Sequence, residues 1–333
     1  MAQVANTFET YNAVGNREEL SDMIYQITPE ETPFLSLIGK ESVSSVHPEW
    51  QLDELATPDT SNNKAEGQTY ATQAVTPTER VGNYCQISTK AISVTRTQDK
   101  TSKAGRKSEL AREVRKKGVE LRTDMEVIAL SNQASSAGSA DEATNRTLGG
   151  MRAWLETNDS LGGSGASGGF SGGVVGAATN GTQRAFTKAL MDEVILNTYN
   201  AGGSPKTMMV SPYNKTVFST FMSDANVVPL RKSATNDKNV IIGSAEVYHS
   251  DFGDVTVVPN RQMARAGATI ARNIFLIDPK AVKLGVFDDI KPVKLAKTSD
   301  SEERAMVCEY TLCVKNEKSH GVIADTFGMT SSS

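Results

Sequence analysis

The stretch from Lys103 to Gln133, KAGRKSELAREVRKKGVELRTDMEVIALSNQ, constrains the fold more than any other part of the chain. Leu110, Val114, Gly118, Leu121, Met125 and Ile128 recur at steps of four and three, the spacing of one helix face, while Arg, Lys and Glu fill the remaining faces. One long amphipathic helix over 106–132 follows. From Lys103 to Glu126 it carries eight basic residues against five acidic ones, with the excess in its first half. Such a run is a solvated face or a side turned toward a polyanion, and charge alone does not separate the two.

Ahead of this helix lies apolar surface with no evident domain of its own. In NREELSDMIYQITPEETPFLSLIGKE, Asn16 and Glu19 have the spacing of a capping box, and Leu20, Met23, Ile24 and Ile27 share one helix face. Thr28-Pro29 ends that helix. Thr32-Pro33 opens a second turn, Phe34, Leu35, Leu37 and Ile38 crowd it, and Gly39 closes it. These two hooks pack either on their own body or on a neighbouring subunit. Residues Val43 to Thr97 then read as a long two-stranded excursion: VSSVHPEWQL runs out, PDTSNNKAEGQTY supplies turn chemistry, and YCQISTKAISVTRT returns. An isolated hairpin is marginal in water, so it needs the body or a neighbour beneath it.

Beyond the long helix, nine of the twenty residues from Gly162 to Gly181 are glycine, with neither a following lysine nor a preceding strand-forming run. A flexible loop or linker is expected rather than a phosphate cradle. The chain then alternates. TQRAFTKALMDEVILNTYNAGG is a helix capped at Thr182 or Thr187, KTMMVSP a buried strand, PYNKTVFSTFM a helix opened by Pro212, and AEVYHSDFGDVTVVPNR two strands around Phe252-Gly253-Asp254. NIFLIDP is a further strand, followed by the extended runs VKLGVFDDIKPVKLA and RAMVCEYTLCVKNEKSHGVIAD. No internal repeat is visible. The fold class is α+β with mixed sheets.

Residue chemistry narrows the function. A net charge of −4 gives no overall basic field for holding nucleic acid, so contact with DNA would be weak and unspecific. No apolar run approaches the roughly 18 residues of a membrane span, and the start MAQVANTFETYN has no basic or apolar leader region, which points to a cytoplasmic protein. Cys85, Cys308 and Cys313 match no metal or disulfide frame and read as buried small residues. His47, His249 and His320 lie far apart. HSDFGD at 249–254 has no accompanying nucleophile elbow, and its DFG has neither an HRD loop nor a glycine-rich loop with a following lysine. Cys313 and His320 could pair only by a bend of the strand. No catalytic, cofactor-binding or metal-binding residue is expected.

Taken in order, these segments resemble the tailed-phage major capsid proteins of the Hong Kong 97 type. NTFETYNAVGNREELSDMIYQITPEETPFLSLIGK, GGMRAWL, VYHSDFGDVTVVPNR and the run from IFLIDPKAVKLGVFDD to VKNEKSHGVI are similar to a subgroup of that family, over nearly the whole chain. The resemblance implies an N-terminal arm (1–42), an extended β-hairpin loop (43–98), a peripheral domain with the spine helix (99–160), a Gly-rich loop (161–182), an α/β axial domain (183–280) and return strands of the peripheral domain (281–333). It implies assembly with copies of itself, as hexamers and pentamers, into an icosahedral head shell around double-stranded DNA in the bacterial cytoplasm. A portal and a decoration protein are further expected partners. Many members carry a scaffolding segment of about a hundred residues before the arm, so a separate scaffolding protein is expected here. Leu20, Ile24, Ile27, Phe34, Leu35 and Ile38 are expected to anchor the arm on an adjacent subunit, Asn63, Lys64 and Glu66 to reach over a neighbour, and Arg112 and Arg115 to lie at a contact. The rivals are an encapsulin-like compartment with the same fold and a hydrolase working through Asp251 or through Cys313 and His320.

Overall fold

The computed structural model describes residues 28–331, apart from 71, 73, 104, 141–142, 222–245 and 298. Helix α1 (Pro33–Ile38) begins where Pro33 presets the backbone and ends at Gly39, whose φ of +68° an L side chain rarely adopts. Strand β1 (Lys40–Ser42) follows. The long helix α3 (Glu109–Leu130) runs three residues shorter at its start and two shorter at its end than its periodicity predicts. Ser108 is the reason at the start, since its Oγ accepts the Ala111 N–H at 3.3 Å and leaves Arg106 outside the helix. Between them stand the short α2 (Arg96–Lys100) and strands β2 (Glu49–Leu52), β3 (Glu79–Gly82) and β4 (Gln86–Thr95).

After α3 come α4 (Met151–Trp154), β5 (Asp159–Ser160), β6 (Gly169–Ser171), β7 (Val174–Gly176), α5 (Lys188–Asn200), β8 (Thr207–Val210) and α6 (Pro212–Thr220). The order continues with β9 (Val247–Ser250), β10 (Gly253–Pro259), α7 (Arg261–Arg265), α8 (Ala268–Ala271), β11 (Ile274–Ile277), β12 (Val282–Lys294), β13 (Ser301–Val314) and β14 (Gly321–Ile323). Two sheets organise these elements. One has the strand order β1-β12-β13-β4 and the other β5-β14-β11-β8-β10-β9, while β2-β3 and β6-β7 are separate hairpins.

Helix α3 lies over β4 and β13 and inserts Leu121 and Met125 between them and the rest of the larger core. That core also takes in Phe34, Ile38, Met151 and Trp154, and reaches Phe275 and Val322 on one face of the six-stranded sheet. The opposite face, with Ile274, Leu276 and Ile323, buries Met191, Val194 and Phe218 from α5 and α6. Alternation along these strands explains the division, since neighbouring residues of β11 point to opposite faces. The α/β region of 183–280 is thus a two-sided layer. It recruits β5 and β14 from outside those bounds, so the last strand joins this six-stranded sheet rather than the four-stranded one.

Two expectations are corrected here. The return strand of the excursion does not pair with the outgoing one: β4 lies antiparallel to β13, from Ser301 opposite Thr95 to Tyr310 opposite Gln86, and only β3 pairs with β2. An alternating pattern marks a strand without marking its partner, and β13 supplies a longer ladder. The glycine-rich run is an ordered hairpin and no linker. Gly172 and Gly173 turn it with φ of +61° and +87°, Phe170 stacks on Trp154 at 5.8 Å, and Val175 is 1% exposed. Nearby, Gly150 allows backbone contact, because a Cβ there would lie 2.2 Å from the Ser131 carbonyl oxygen.

Candidate assembly surfaces

The excursion is rooted firmly and ends freely. At its base Trp50 stacks on Trp154 at 5.8 Å and holds the Lys315 ammonium 5.2 Å from its ring centre, and Glu54 pairs with Lys318 at 2.7 Å. From 53 to 78, every described residue is exposed. Short-range bonds shape this loop: the Ser61 hydroxyl and N–H both donate to Asp59, holding its carboxyl below the ordinary value, and Gln68 accepts the Ala65 N–H at 3.1 Å. Asn63 and Lys64 lie exposed between the loop's two turns, at 60–61 and 66–67, and Glu66 begins the second. Its apolar members carry no periodic signal in the sequence. Leu55, Tyr70 and Val75 are 94%, 90% and 91% exposed. Three large apolar side chains on one unsupported loop form a surface that water disfavours.

The arm's root contradicts expectation. Phe34 and Ile38 are fully buried and Leu35 is 7% exposed, all in the chain's own larger core. They cannot anchor a neighbour. The apolar spacing of this turn was legible, but spacing does not say whose core it enters. Polar bonds lock it in place: Glu126, in the middle of α3, accepts the N–H groups of Phe34 at 2.8 Å and Leu35 at 2.9 Å, and the Asn260 amide at 2.7 Å. Burial raises the Glu126 carboxyl above its ordinary value, against those three donors. Gln262 and Arg265 of α7 donate to the Pro29 carbonyl, and Gln262 also to that of Glu31. Leu20, Ile24 and Ile27 lie outside the described residues.

On α3, Arg112 is tied to its own helix, bonding Glu113 at 2.7 Å and Glu109 at 3.2 Å. That local pairing offsets its charge within the helix. Arg115 is exposed. On the far layer, β9 forms the edge of the six-stranded sheet, and Tyr199 packs on Phe252 at 4.7 Å while both stay about half exposed. A cavity of about 320 Å³ lies beneath them, bounded by Ile195, Pro205, Lys206 and Asp254.

The groups considered for chemistry are used structurally. His249 and Asp254 bond at 2.7 Å on an exposed hairpin, whose turn takes the Ser250 hydroxyl as donor to the Gly253 carbonyl at 2.6 Å. All three cysteines are buried, and burial pushes the thiols of Cys85 and Cys308 up to about 11 and about 12, with Cys313 raised further. His320 is fully buried, accepts the Asp278 N–H at 3.1 Å on Nδ1, and is pushed down to about 4 by burial. Among the described residues, no group of three or more His, Cys, Asp or Glu could hold a metal ion, and no helix is long and apolar enough to cross a membrane.

The family model of the SU10 major capsid protein matches residues 3–327. The major capsid protein of Escherichia phage Phieco32 is 30% identical over 239 residues, which is 63% of this chain and 68% of that protein. Among solved structures, the cyanophage A-1(L) capsid asymmetric unit superposes with a TM-score of 0.63 at 15% identity, covering 96% of this chain and 98% of that one. Gordonia phage Cozz gives a TM-score of 0.61 at 11% identity, covering 97% and 96%. At such identities these two structures speak for the fold alone.

Proposed function

This chain belongs to the SU10 major capsid protein family, and from that premise we propose how it closes a shell. It is a structural protein of a tailed-phage head and has the Hong Kong 97-type fold. In the proposed assembly the loop 53–78 lies across an adjacent copy, with Leu55, Tyr70 and Val75 as its apolar contacts and Asn63, Lys64 and Glu66 as its polar ones. Their near-complete exposure carries this reading. Contacts of this head-to-tail kind close into rings, hence hexamers and pentamers. The segment 1–27, with Leu20, Ile24 and Ile27, reaches a neighbour from a root fixed by α1. The axial layer, through β9 and the Tyr199–Phe252 pair, meets its copies around the symmetry axes. Arg115 and the basic half of α3 face packaged DNA; a scaffolding protein, a portal and a decoration protein complete the partners, and assembly takes place in the host cytoplasm.

The triple variant Leu55→Ser, Tyr70→Ser, Val75→Ser tests the loop. These side chains contribute little to the isolated fold, so its melting stays near that of the parent, within about 0.5 kcal/mol. Covering each on a neighbour is worth roughly 1.5–3 kcal/mol, so the variant loses about 5–9 kcal/mol per loop contact and sediments as unassembled protein. Normal shells from a folded triple variant would sink the proposal. A deletion probing the arm should stop at residue 27, since removing 28–40 also empties the core of Phe34 and Ile38. The encapsulin-like alternative shares the fold and differs in what fills the particle: DNA here, protein cargo there.

A further inference from the structure

Arg152 of α4 is fully buried, and none of its three guanidinium nitrogens has a hydrogen-bond partner. Around it lie other orphaned polar atoms. Asp159 Oδ2 and Asp325 Oδ1 are buried acceptors without a hydrogen bond, and Arg184 Nε and Arg272 Nε are buried donors in the same condition. Both carboxylates act on Arg152 through their charge, favouring its ionised form against the burial that disfavours it. Arg272 Nε stands 3.4 Å from Asp325 Oδ1, an ion pair without a proper hydrogen bond. Arg184 donates to Ser160 at 2.9 Å, which in turn donates to Glu193 at 3.2 Å.

The charges balance, with Arg152, Arg184 and Arg272 against Asp159, Asp325 and Glu193. No further ion is demanded. What the cluster lacks is hydrogen-bond partners for donors and acceptors alike, and one molecule answers both. Water donates and accepts, and a buried water typically makes about three hydrogen bonds to otherwise unsatisfied groups. We infer that Arg152, Asp159 and Asp325 enclose an internal hydration site, in which ordered waters bridge the guanidinium to both carboxylates. The site joins five separate segments: α4, β5, the strand-like stretch at Arg184, the end of α8 and the turn after β14. Asp325 is its node. Its φ of +61° is unusual for a side-chain-bearing residue and is held by the Gly162 N–H on Oδ2 at 3.0 Å and by the Arg184 N–H on its carbonyl at 2.7 Å. The waters therefore fasten the helical body around α4 to the recruited edge of the six-stranded sheet.

A density map of the full chain, fine enough to show ordered water and collected with bromide in the buffer, tests the site directly. The expected result is solvent density within hydrogen-bond distance of at least two Arg152 nitrogens and of Asp159 Oδ2 or Asp325 Oδ1. Direct bonds from all three nitrogens to protein oxygens, or a bromide signal in place of water, would overturn it. Arg152→Met removes the bridged cation and leaves three carboxylates against two guanidiniums, so the folded-to-unfolded ratio falls by roughly a hundredfold or more. Asp159→Asn in the same chain restores part of that loss because it removes one stranded charge. Strict additivity of the two substitutions contradicts the bridge.

Discussion

Glu126→Gln probes the contact that fixes α1 on the body. In the parent, Oε1 accepts from Phe34 and from Asn260, and Oε2 accepts from Leu35, at 2.7–2.9 Å and without solvent contact. Glutamine keeps one oxygen, so two of the three bonds survive without the charge that strengthens them, a loss of about 1 kcal/mol each. Its amide then faces the Leu35 N–H, donor against donor, for a further 1–3 kcal/mol or so. Relief from burying a carboxylate offsets part of this, leaving a net cost of about 2 kcal/mol. Hydrogen exchange reads it locally: the Phe34 and Leu35 amides should exchange roughly thirtyfold faster, with little change in the six-stranded sheet. The pH dependence carries a sign. Because the folded carboxyl is raised above 4.5, the parent's stability from this group is fully present below that value and is lost as pH rises through the folded value. The gap between parent and Gln variant therefore shifts in the parent's favour on acidification. Unchanged exchange at both amides would refute the view that Glu126 fixes α1.

Two glycines should respond in opposite directions. Gly150→Ala drives a Cβ to 2.2 Å from the Ser131 carbonyl and should cost about 3 kcal/mol, while Gly118→Ala in mid-α3 meets only the flexible end of Met306 at 3.4 Å and should gain up to about 1 kcal/mol in a denaturant melt. His320, held at about 4 against an ordinary 6.5, contributes stability that is present above 6.5 and lost as pH falls toward 4, up to about 3 kcal/mol. His320→Gln can still accept the Asp278 N–H, so its melting temperature should vary less over that window; parallel curves for parent and variant would count against the assignment.

What could be read from the residues depended on whether the signal was local. Helix α3 declared itself through its period, α1 through Thr32-Pro33 and Gly39, and α5 through a cap at Thr182 or Thr187, of which Thr187 holds it, its hydroxyl accepting the Leu190 N–H. The pairing of β4 with β13 was not legible, since more than two hundred residues separate the strands and alternation is silent about partners. Glycine density at 162–181 misled because the same residues serve flexibility and close backbone approach, and only neighbours such as Trp154 settle which. Phe34 and Ile38 misled for a related reason: an apolar turn specifies burial without specifying by whom. The Arg152 cluster left no trace as a motif, since its members are scattered from 152 to 325.

Strand β13 sits between β12 and β4, and β14 between β5 and β11, so both sheets keep a gap until the last fifth of the polypeptide is made. During synthesis the loop 53–78 leaves the ribosome well before either sheet can close. If the loop docks on a sister copy as proposed, late closure of both sheets would delay that capture until a subunit is complete.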